Sequence, residues 1–266
     1  MWTDLVGLSS DLVSYTFTVT SAVQSGSVYR FRYRAKNIHG WGPFSDNLIL
    51  YAAKVPDTVT SVTVTHEGTF VKITWSLPAS NGGLPILGYR VLIEEQDGDY
   101  SETVLHCDGS DMTIRANRYC LIPMSILVSP PYNLPLLDTI YATVEAFNLV
   151  GYSTPSALNA PGAVILTEPL SPPGAPYRVD SGTTDTRIQV NFDNLVSPNN
   201  GGSTIISLNL EWDRGTNTWT SLIGGTYNSL ITTFTVTGLT PGSYYKFRYR
   251  ASNLFGWGSY SAESTI

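Results

Sequence analysis

At 266 residues the chain has room for two to three sandwich-sized domains of roughly 100 residues each, with material for separate cores. A formal net charge of −6 with only 14% charged residues leaves no sequence-wide basic field, which argues against nucleic acid or an anionic membrane surface as partner. With 12% aromatic residues, 23 Gly and 16 Pro, the composition is that of an all-β protein rich in turns.

Residues 1–53 come first, and their second part, Tyr29 to Ser45 (YRFRYRAKNIHGWGPFS), recurs as Tyr245 to Ser261 (YKFRYRASNLFGWGSYS). A recurrence that close marks a repeated structural unit. Tyr245, Phe247, Tyr249 and Ala251 alternate with Lys246, Arg248 and Arg250, the two-residue period of a half-buried strand, and the turn formers Asn253 and Gly256 follow. The match extends back to Trp2 against Trp219, through TFTV at Thr16 to Val19 and at Thr233 to Val236, with one inserted residue before Tyr29. A Tyr in a strand ending Ala-x-Asn, a Gly after the turn and a closing Ser resemble strand F, the FG turn and strand G of a fibronectin type III domain. The resemblance covers nearly the whole chain and implies tandem fibronectin type III (Ig-like) β-sandwiches. It speaks to fold and names no ligand. Tyr29 and Tyr245 then take the place of the family's tyrosine corner. Residues 1–53 match only a C-terminal half, so they are expected to hold strands C′, E, F and G and to lack A, B and C. Exposing Phe31 and Tyr33 would cost about 25 cal/mol per Å² of apolar surface, so the lost strands are expected from upstream sequence or from another chain. Met1 to Ser10 lacks the basic start and apolar core of a secretory signal, which places any export signal outside this stretch.

AAKVPD, Ala52 to Asp57, is a short junction into a second unit, residues 54–168. VKITWSLP places Trp75 at the family's buried B-strand Trp, and SNGGLPILGYRVLIEE supplies a Gly-rich BC turn and a C strand through Tyr89 and Val91. Asp97 to Tyr132 departs from the simple pattern as an insertion that carries the only cysteines, Cys107 and Cys120. Their spacing fits no paired-thiol zinc or redox motif, and a disulfide is the better reading; it suits an oxidising compartment. The insert, ending Cys-x-Ile-Pro, is similar to Cys-bracketed inserts of long surface proteins of protists, which implies a place outside the cell. No apolar run reaches bilayer length, since Leu121 to Leu137 is broken by Pro123, Pro130, Pro131 and Pro135, and no membrane insertion of this segment is expected. IYATVEAFNLVGYSTPS closes the unit, with Ala146, Asn148 and Gly151 aligned to Ala251, Asn253 and Gly256. Ile140 stands where the other copies have Tyr, so the corner is lost here and Tyr141 is expected to face outward.

TEPLSPPGAP, Thr167 to Pro176, is a second, semi-rigid boundary, and residues 169–266 form the third unit. In it Phe192 replaces Trp75, NNGG repeats the BC turn, and Leu239 with Tyr245 matches the family's EF corner.

Chemistry-bearing residues form no catalytic constellation. His39, His66 and His106 are scattered, and no zinc-protease helix, nucleophile elbow or phosphate loop occurs, so neither enzyme activity nor a cofactor is expected. Glu94, Glu95, Asp97, Asp99, Asp108 and Asp111 lack EF-hand spacing and read as solvated hairpin ends rather than a Ca²⁺ site. The sharper feature is the outward stripe Arg30, Arg32, Arg34 and its twin Lys246, Arg248, Arg250. It lies beside Trp41 and Phe44, or Trp257 and Tyr260, spaced three apart as in the Trp-Ser-x-Trp-Ser box of cytokine-receptor fibronectin domains. That resemblance implies an Arg–aromatic ladder, each rung contributing about 0.5 to 2 kcal/mol, with a site for sulfated sugars or an acidic partner as the competing reading. The middle unit, with Thr143 and Glu145, is expected to lack it. No Asn-x-Ser/Thr sequon occurs, and O-linked sugars are left open.

The expected function is a non-enzymatic structural segment of a multi-repeat extracellular protein that builds a surface fibril, its partners neighbouring repeats or other copies. An adhesion or receptor segment binding a protein or glycan, an accessory region of a carbohydrate-active enzyme, and a cytoplasmic muscle- or cilium-type array with reduced thiols are the alternatives.

Overall fold

The computed structural model describes residues 2–266. Residues 2–53 contain β1 (Val28–Phe31), β2 (Lys36–Asn37), β3 (Gly40–Trp41) and β4 (Leu48–Tyr51); β1 pairs antiparallel with β4 and β2 with β3. These are pieces of strands F and G. Thr3–Val6 and Thr16–Val19, expected as C′ and E, form no strand. The reason is visible in their counterparts. Thr233–Thr237 is a strand because Arg187–Asn191 lies beside it, and Thr220–Ile223 is one because Ser207–Trp212 does. Without a lateral partner the backbone amides gain more from water than from an extended edge.

The middle sandwich has β5 (Val62–Glu67), β6 (Phe70–Trp75), β7 (Gly88–Glu94), β8 (Tyr100–Ser101), β9 (Tyr119–Pro123) and β10 (Ala142–Phe147), with short helices α1 (Met112–Asn117) and α2 (Met124–Leu127). One sheet runs β5-β6-β9 and the other β10-β7-β8, the A-B-E and F-C-C′ order of a fibronectin type III sandwich. Val71, Ile73 and Trp75 of β6 face Tyr89, Val91 and Ile93 of β7 in one buried core, and the Trp75 and Tyr89 rings lie 5.3 Å apart. The insertion is shorter than Asp97 to Tyr132. Tyr119–Pro123 is strand E itself, with Cys120 opposite Ile73 of β6, and its alternation of buried Cys120 and Ile122 with half-buried Tyr119 and Leu121 is that of a framework strand. The added residues lie between β8 and β9. There Asp111 caps α1 by accepting hydrogen bonds from the Thr113 and Ile114 amides, at 2.8 and 3.0 Å. The Cys107–Cys120 disulfide ties this loop to β9, and both sulfurs lie in the core.

The third sandwich comprises β11 (Tyr177–Arg178), β12 (Arg187–Asn191), β13 (Ser207–Trp212), β14 (Thr220–Ile223), β15 (Thr233–Thr237), β16 (Lys246–Asn253), β17 (Gly256–Trp257) and β18 (Ser264–Thr265). Its sheets run β11-β12-β15 and β14-β13-β16-β17, with β18 also on β16. Phe192 takes the place of Trp75 and packs 5.1 Å from the Tyr249 ring in a core separate from the middle one. The Tyr245 hydroxyl accepts from the Thr240 amide at 3.1 Å, and the Tyr29 hydroxyl accepts from the Gln24 amide at 2.8 Å. In the middle sandwich Ile140 is fully buried at this place and Tyr141 is on the surface.

Replacing both Cys107 and Cys120 by Ser is expected to cost the middle sandwich about 3 kcal/mol, the loop-closure value for a crosslink of this span. Urea unfolding followed separately in the two complete sandwiches checks it, since the third core makes no use of the bond.

Candidate functional site

The ladders arise from two local periods. Strand β16 places Lys246, Arg248 and Arg250 on its outer face because side chains alternate along a pleated strand. The following segment keeps a three-residue rhythm, set by serine. The Ser261 amide donates to the Tyr249 carbonyl at 2.7 Å, while the Ser261 hydroxyl accepts from the Tyr249 amide and donates to the Ala262 carbonyl. Gly258 donates to the Ala251 carbonyl one step earlier. A three-residue step throws Trp257 and Tyr260 to the same side, against the arginines.

The result in the third sandwich is the alternating stack Trp219, Arg248, Tyr260, Arg250, Trp257. The guanidinium carbon of Arg248 lies 4.1 and 3.9 Å from the Trp219 and Tyr260 ring centres, and that of Arg250 4.4 and 4.8 Å from Tyr260 and Trp257. Glu211 of β13 fixes the stack from the neighbouring strand. Its carboxylate accepts from Arg248 at 2.8 and 3.0 Å and from the Tyr260 hydroxyl at 2.7 Å. Burial and the bond to Glu211 both push the Tyr260 phenol above its ordinary value. Residues 2–53 carry the same stack. Arg32 sits 4.0 and 3.9 Å from Trp2 and Phe44, Arg34 sits 4.5 and 4.6 Å from Phe44 and Trp41, and Lys36 reaches Trp41 at 5.8 Å.

Two members of the sequence-read stripe stand outside the stacks. Arg30 is exposed and over no ring, and Lys246 donates to Asn217 at 3.1 Å. Both lie opposite the end of the G segment, past its stacked aromatics: Lys246 is opposite Thr265 and Arg30 opposite Ile49. Trp2 and Trp219, the end rungs, come from the C′ segment; the signal was their place at the start of the internal match. The middle sandwich is not devoid of a rung. Arg90 on β7 lies 4.4 Å from the Tyr152 ring and pairs with Glu145 directly opposite on β10. The guanidinium therefore comes from strand C where the flanking copies take it from strand F. Here too Ser153, Ser156 and Asn159, three apart, accept from the β10 amides of Ala146, Val144 and Ala142.

A second constellation repeats where one unit meets the next. The buried side-chain amide of Asn148 donates to the carbonyls of Lys54 in the junction, at 2.9 Å, and of Asn81 in the BC turn, at 2.8 Å. Asn253 does the same to Thr167 at 2.7 Å and Asn200 at 2.9 Å. The junction answers with its own amide, Lys54 to Gly82 at 2.9 Å and Thr167 to Gly201 at 3.0 Å. Gly82 and Gly201 hold φ of +74° and +69°, and a Cβ on either would overlap the junction carbonyls, so only Gly serves at both. Gly202 in turn abuts Leu137 and Leu166 of the middle sandwich, and Phe255 packs against its core. The sequence reading treated Asn148 and Asn253 as turn formers only. The recurrence of Ala-x-Asn together with Asn-Gly-Gly was the signal available.

Among the described residues no cluster of three or more His, Cys, Asp or Glu could hold a metal ion, and no helix is long and apolar enough to cross a membrane. Asp108 is held below the ordinary carboxylate range by the Ser110 hydroxyl and amide, and Asp97 accepts from the Asp99 amide, so these acids are engaged in turns.

No family model matches the chain. It is similar to Fibronectin type-III domain-containing protein 3A of Pongo abelii, 27% identical over 251 residues that make up 91% of this chain and 19% of that protein. The protein of the same description from Homo sapiens is 26% identical over 250 residues, 91% of this chain and 18% of the relative. A Kelch domain-containing protein, SSO1033 of Saccharolobus solfataricus, is 26% identical over 142 residues, 52% of this chain and 19% of its own length. The chain thus spans about a fifth of these relatives. Among solved structures, chicken CNTN1 FN1-FN3 domains match at 17% identity and a TM-score of 0.32, over 90% of this chain and 74% of that one. The relatives named are mammalian and archaeal, and the likeness to protist surface proteins gains no support from them. The fold is all-β and built of fibronectin type III sandwiches.

Tyr260→Phe is expected to cost the third sandwich about 1 kcal/mol through the lost bond to Glu211. Because folding raises the Tyr260 pKa, that contribution is full below the phenol's unfolded value and fades as pH rises through the folded one. Thermal unfolding near neutral pH and again above about pH 10 checks it: the gap between variant and parent narrows on the alkaline side.

Proposed function

We propose that this chain is a non-enzymatic structural segment of a multi-repeat extracellular protein, a run of rigidly jointed sandwiches that builds a surface fibril. The observation that carries the reading is the joint. Two junctions of unrelated sequence are gripped by the same two hydrogen bonds, from the following unit's FG asparagine and to its BC glycine, while the asparagine's second amide hydrogen ties it to the BC turn. A chain meant to flex between modules gains nothing from burying an asparagine against its own linker. The disulfide supports an oxidising, extracellular setting. The stacked guanidinium groups support a stabilising role for the stripe over capture of an acidic or sulfated ligand, because Arg248 and Arg250 are already engaged by Trp219, Tyr260 and Trp257, and Arg248 also by Glu211.

Small-angle scattering of the full chain tests the joint. The parent is expected to fit a single elongated shape, and the double variant Asn148→Ala, Asn253→Ala to require a broad ensemble while both cores still unfold cooperatively. Equal scattering profiles for parent and variant would remove the rigid-array reading.

A further inference from the structure

The outer face of the F-C-C′ sheet is built differently in the two complete sandwiches. In the third, the Asp213 amide at the end of β13 donates to the Lys246 carbonyl at 3.1 Å, and Trp219 stands across from it at the start of strand C′. Arg248, one pleat along strand F, covers the Trp219 ring at 4.1 Å. The middle sandwich makes the same row from other side chains. Glu94 at the end of β7 lies opposite Tyr100 of β8, and its amide donates to the Tyr141 carbonyl at 3.0 Å. Tyr100 therefore takes the place of Trp219, Tyr141 that of Lys246, and Thr143 that of Arg248. Two phenol rings flank a carboxylate, and strand F brings no guanidinium to them. Among the described residues no cation lies over Tyr100 or Tyr141 and Glu94 is in no ion pair; Arg90, four residues back on β7, is engaged by Glu145 and Tyr152. Burial, then the charge of Glu94, push the Tyr100 phenol above its ordinary value, as expected of close neighbours.

The row is open, partly apolar and strongly acidic in its surroundings. Tyr141 is 37% exposed, Tyr100 38% and Leu158 46%, with Leu92 half-buried on the same face as Glu94. Glu95, Asp97 and Asp99 follow in the same hairpin, and residues 54–168 hold 12 Asp and Glu against 5 Lys and Arg, where residues 169–266 hold 6 of each. Such a face repels its own copy and attracts a cationic surface.

We propose that this face is a docking surface for a basic, arginine-bearing segment of a partner protein, one arginine entering between Tyr100 and Tyr141 above Glu94. The third sandwich shows the arrangement with its own residues: Arg248 lies between Trp219 and Tyr260 and pairs with Glu211. Tyr100 and Tyr141 stand on strands either side of β7, roughly 10 Å apart at the usual spacing, and a guanidinium held 4.1 and 3.9 Å from two rings, as Arg248 is, needs about 8 Å of that. Arginine fits better than lysine because its planar group stacks on a ring and bonds a carboxylate at once. Leu92 and Leu158 suit apolar side chains beside that arginine.

The test titrates the full chain, followed by amide NMR, with an amidated heptapeptide of alternating arginine and valine and with its lysine counterpart of equal charge. Shifts are expected to centre on residues 92–94, 100–102 and 141–143, with the arginine peptide binding at least about fivefold more tightly than the lysine one. Tyr100→Leu with Tyr141→Leu, which leave the charge untouched, is expected to erase that preference, and Glu94→Gln to weaken the arginine peptide about fivefold or more while Asp185→Asn in the third sandwich does not. Equal affinity for the two peptides, tyrosine variants that keep the preference, or shifts centred elsewhere overturn the proposal. So does a parent chain that self-associates with residues 141–143 already protected, since a second copy would then be the occupant.

Discussion

Lateral hydrogen bonding between strands decides what each stretch of this chain becomes, and the internal twin isolates that constraint from every other. Thr-Phe-Thr-Val at Thr16–Val19 and at Thr233–Val236 has one local propensity, one alternation and one set of flanking residues in kind. Only the second is a strand, because only the second has β12 beside it. The same holds for Thr3–Val6 against β14. Residues of strands F and G in the opening unit do pair, since each supplies the other's partner. β-propensity is thus a statement about fitting a surface that something else must build.

The ladders follow from that constraint one level up. A pleated F strand presents arginines every second residue, the G segment presents aromatics every third, and serine hydroxyls reconcile the two by taking up F-strand amides that the longer step leaves without a carbonyl. The opening unit shows that this arrangement needs only F, G and the start of C′, for its Arg32 and Arg34 stack although strand C is missing. The carboxylate that turns stacking into a fixed network, Glu211, is supplied by strand C. At roughly 0.5 to 1 kcal/mol for an exposed cation–π contact, the stack is a modest stabiliser and the added ion pair makes it directional.

How much of this was legible in the sequence depends on sequence distance. Alternation in Tyr245 to Ala251 is a short-range pattern that residue spacing carries, whereas the buried places of Trp75 and Tyr89 and the pairing of Arg248 and Arg250 with Trp257 and Tyr260 are what the resemblance to fibronectin domains implies. Trp219 against Arg248 and Arg90 against Tyr152 join residues tens of positions apart, and they depend on which strand becomes a neighbour in the sheet. Strand β9 was hidden for a different reason. Its five residues end in Pro and sit between two short helices, so the punctuation of a loop masked a framework strand whose true signature is its register with β6. Cys120, read as part of an insertion, belongs to the sheet, and the disulfide therefore anchors added chain to the core instead of closing a free loop.

Each complete sandwich holds the junction ahead of it by the junction's backbone. Ala-Ala-Lys-Val-Pro-Asp and Thr-Glu-Pro-Leu-Ser-Pro have little in common, yet both are held by the same atoms, because the grip is on backbone carbonyl and amide groups and not on side chains. Specificity lies in the following unit: an asparagine whose carbonyl oxygen is already committed to its own turn, at Val150 or Phe255, has one amide bond for its BC turn and one for the junction. A linker read through its backbone can vary in sequence without changing geometry, whereas the Asn and the Gly that receive it cannot. Asn37 makes the same turn-closing bond, accepting from the His39 amide at 2.8 Å. In both complete sandwiches the device belongs to the module, since each brings the Asn and the Gly that hold the junction ahead of it.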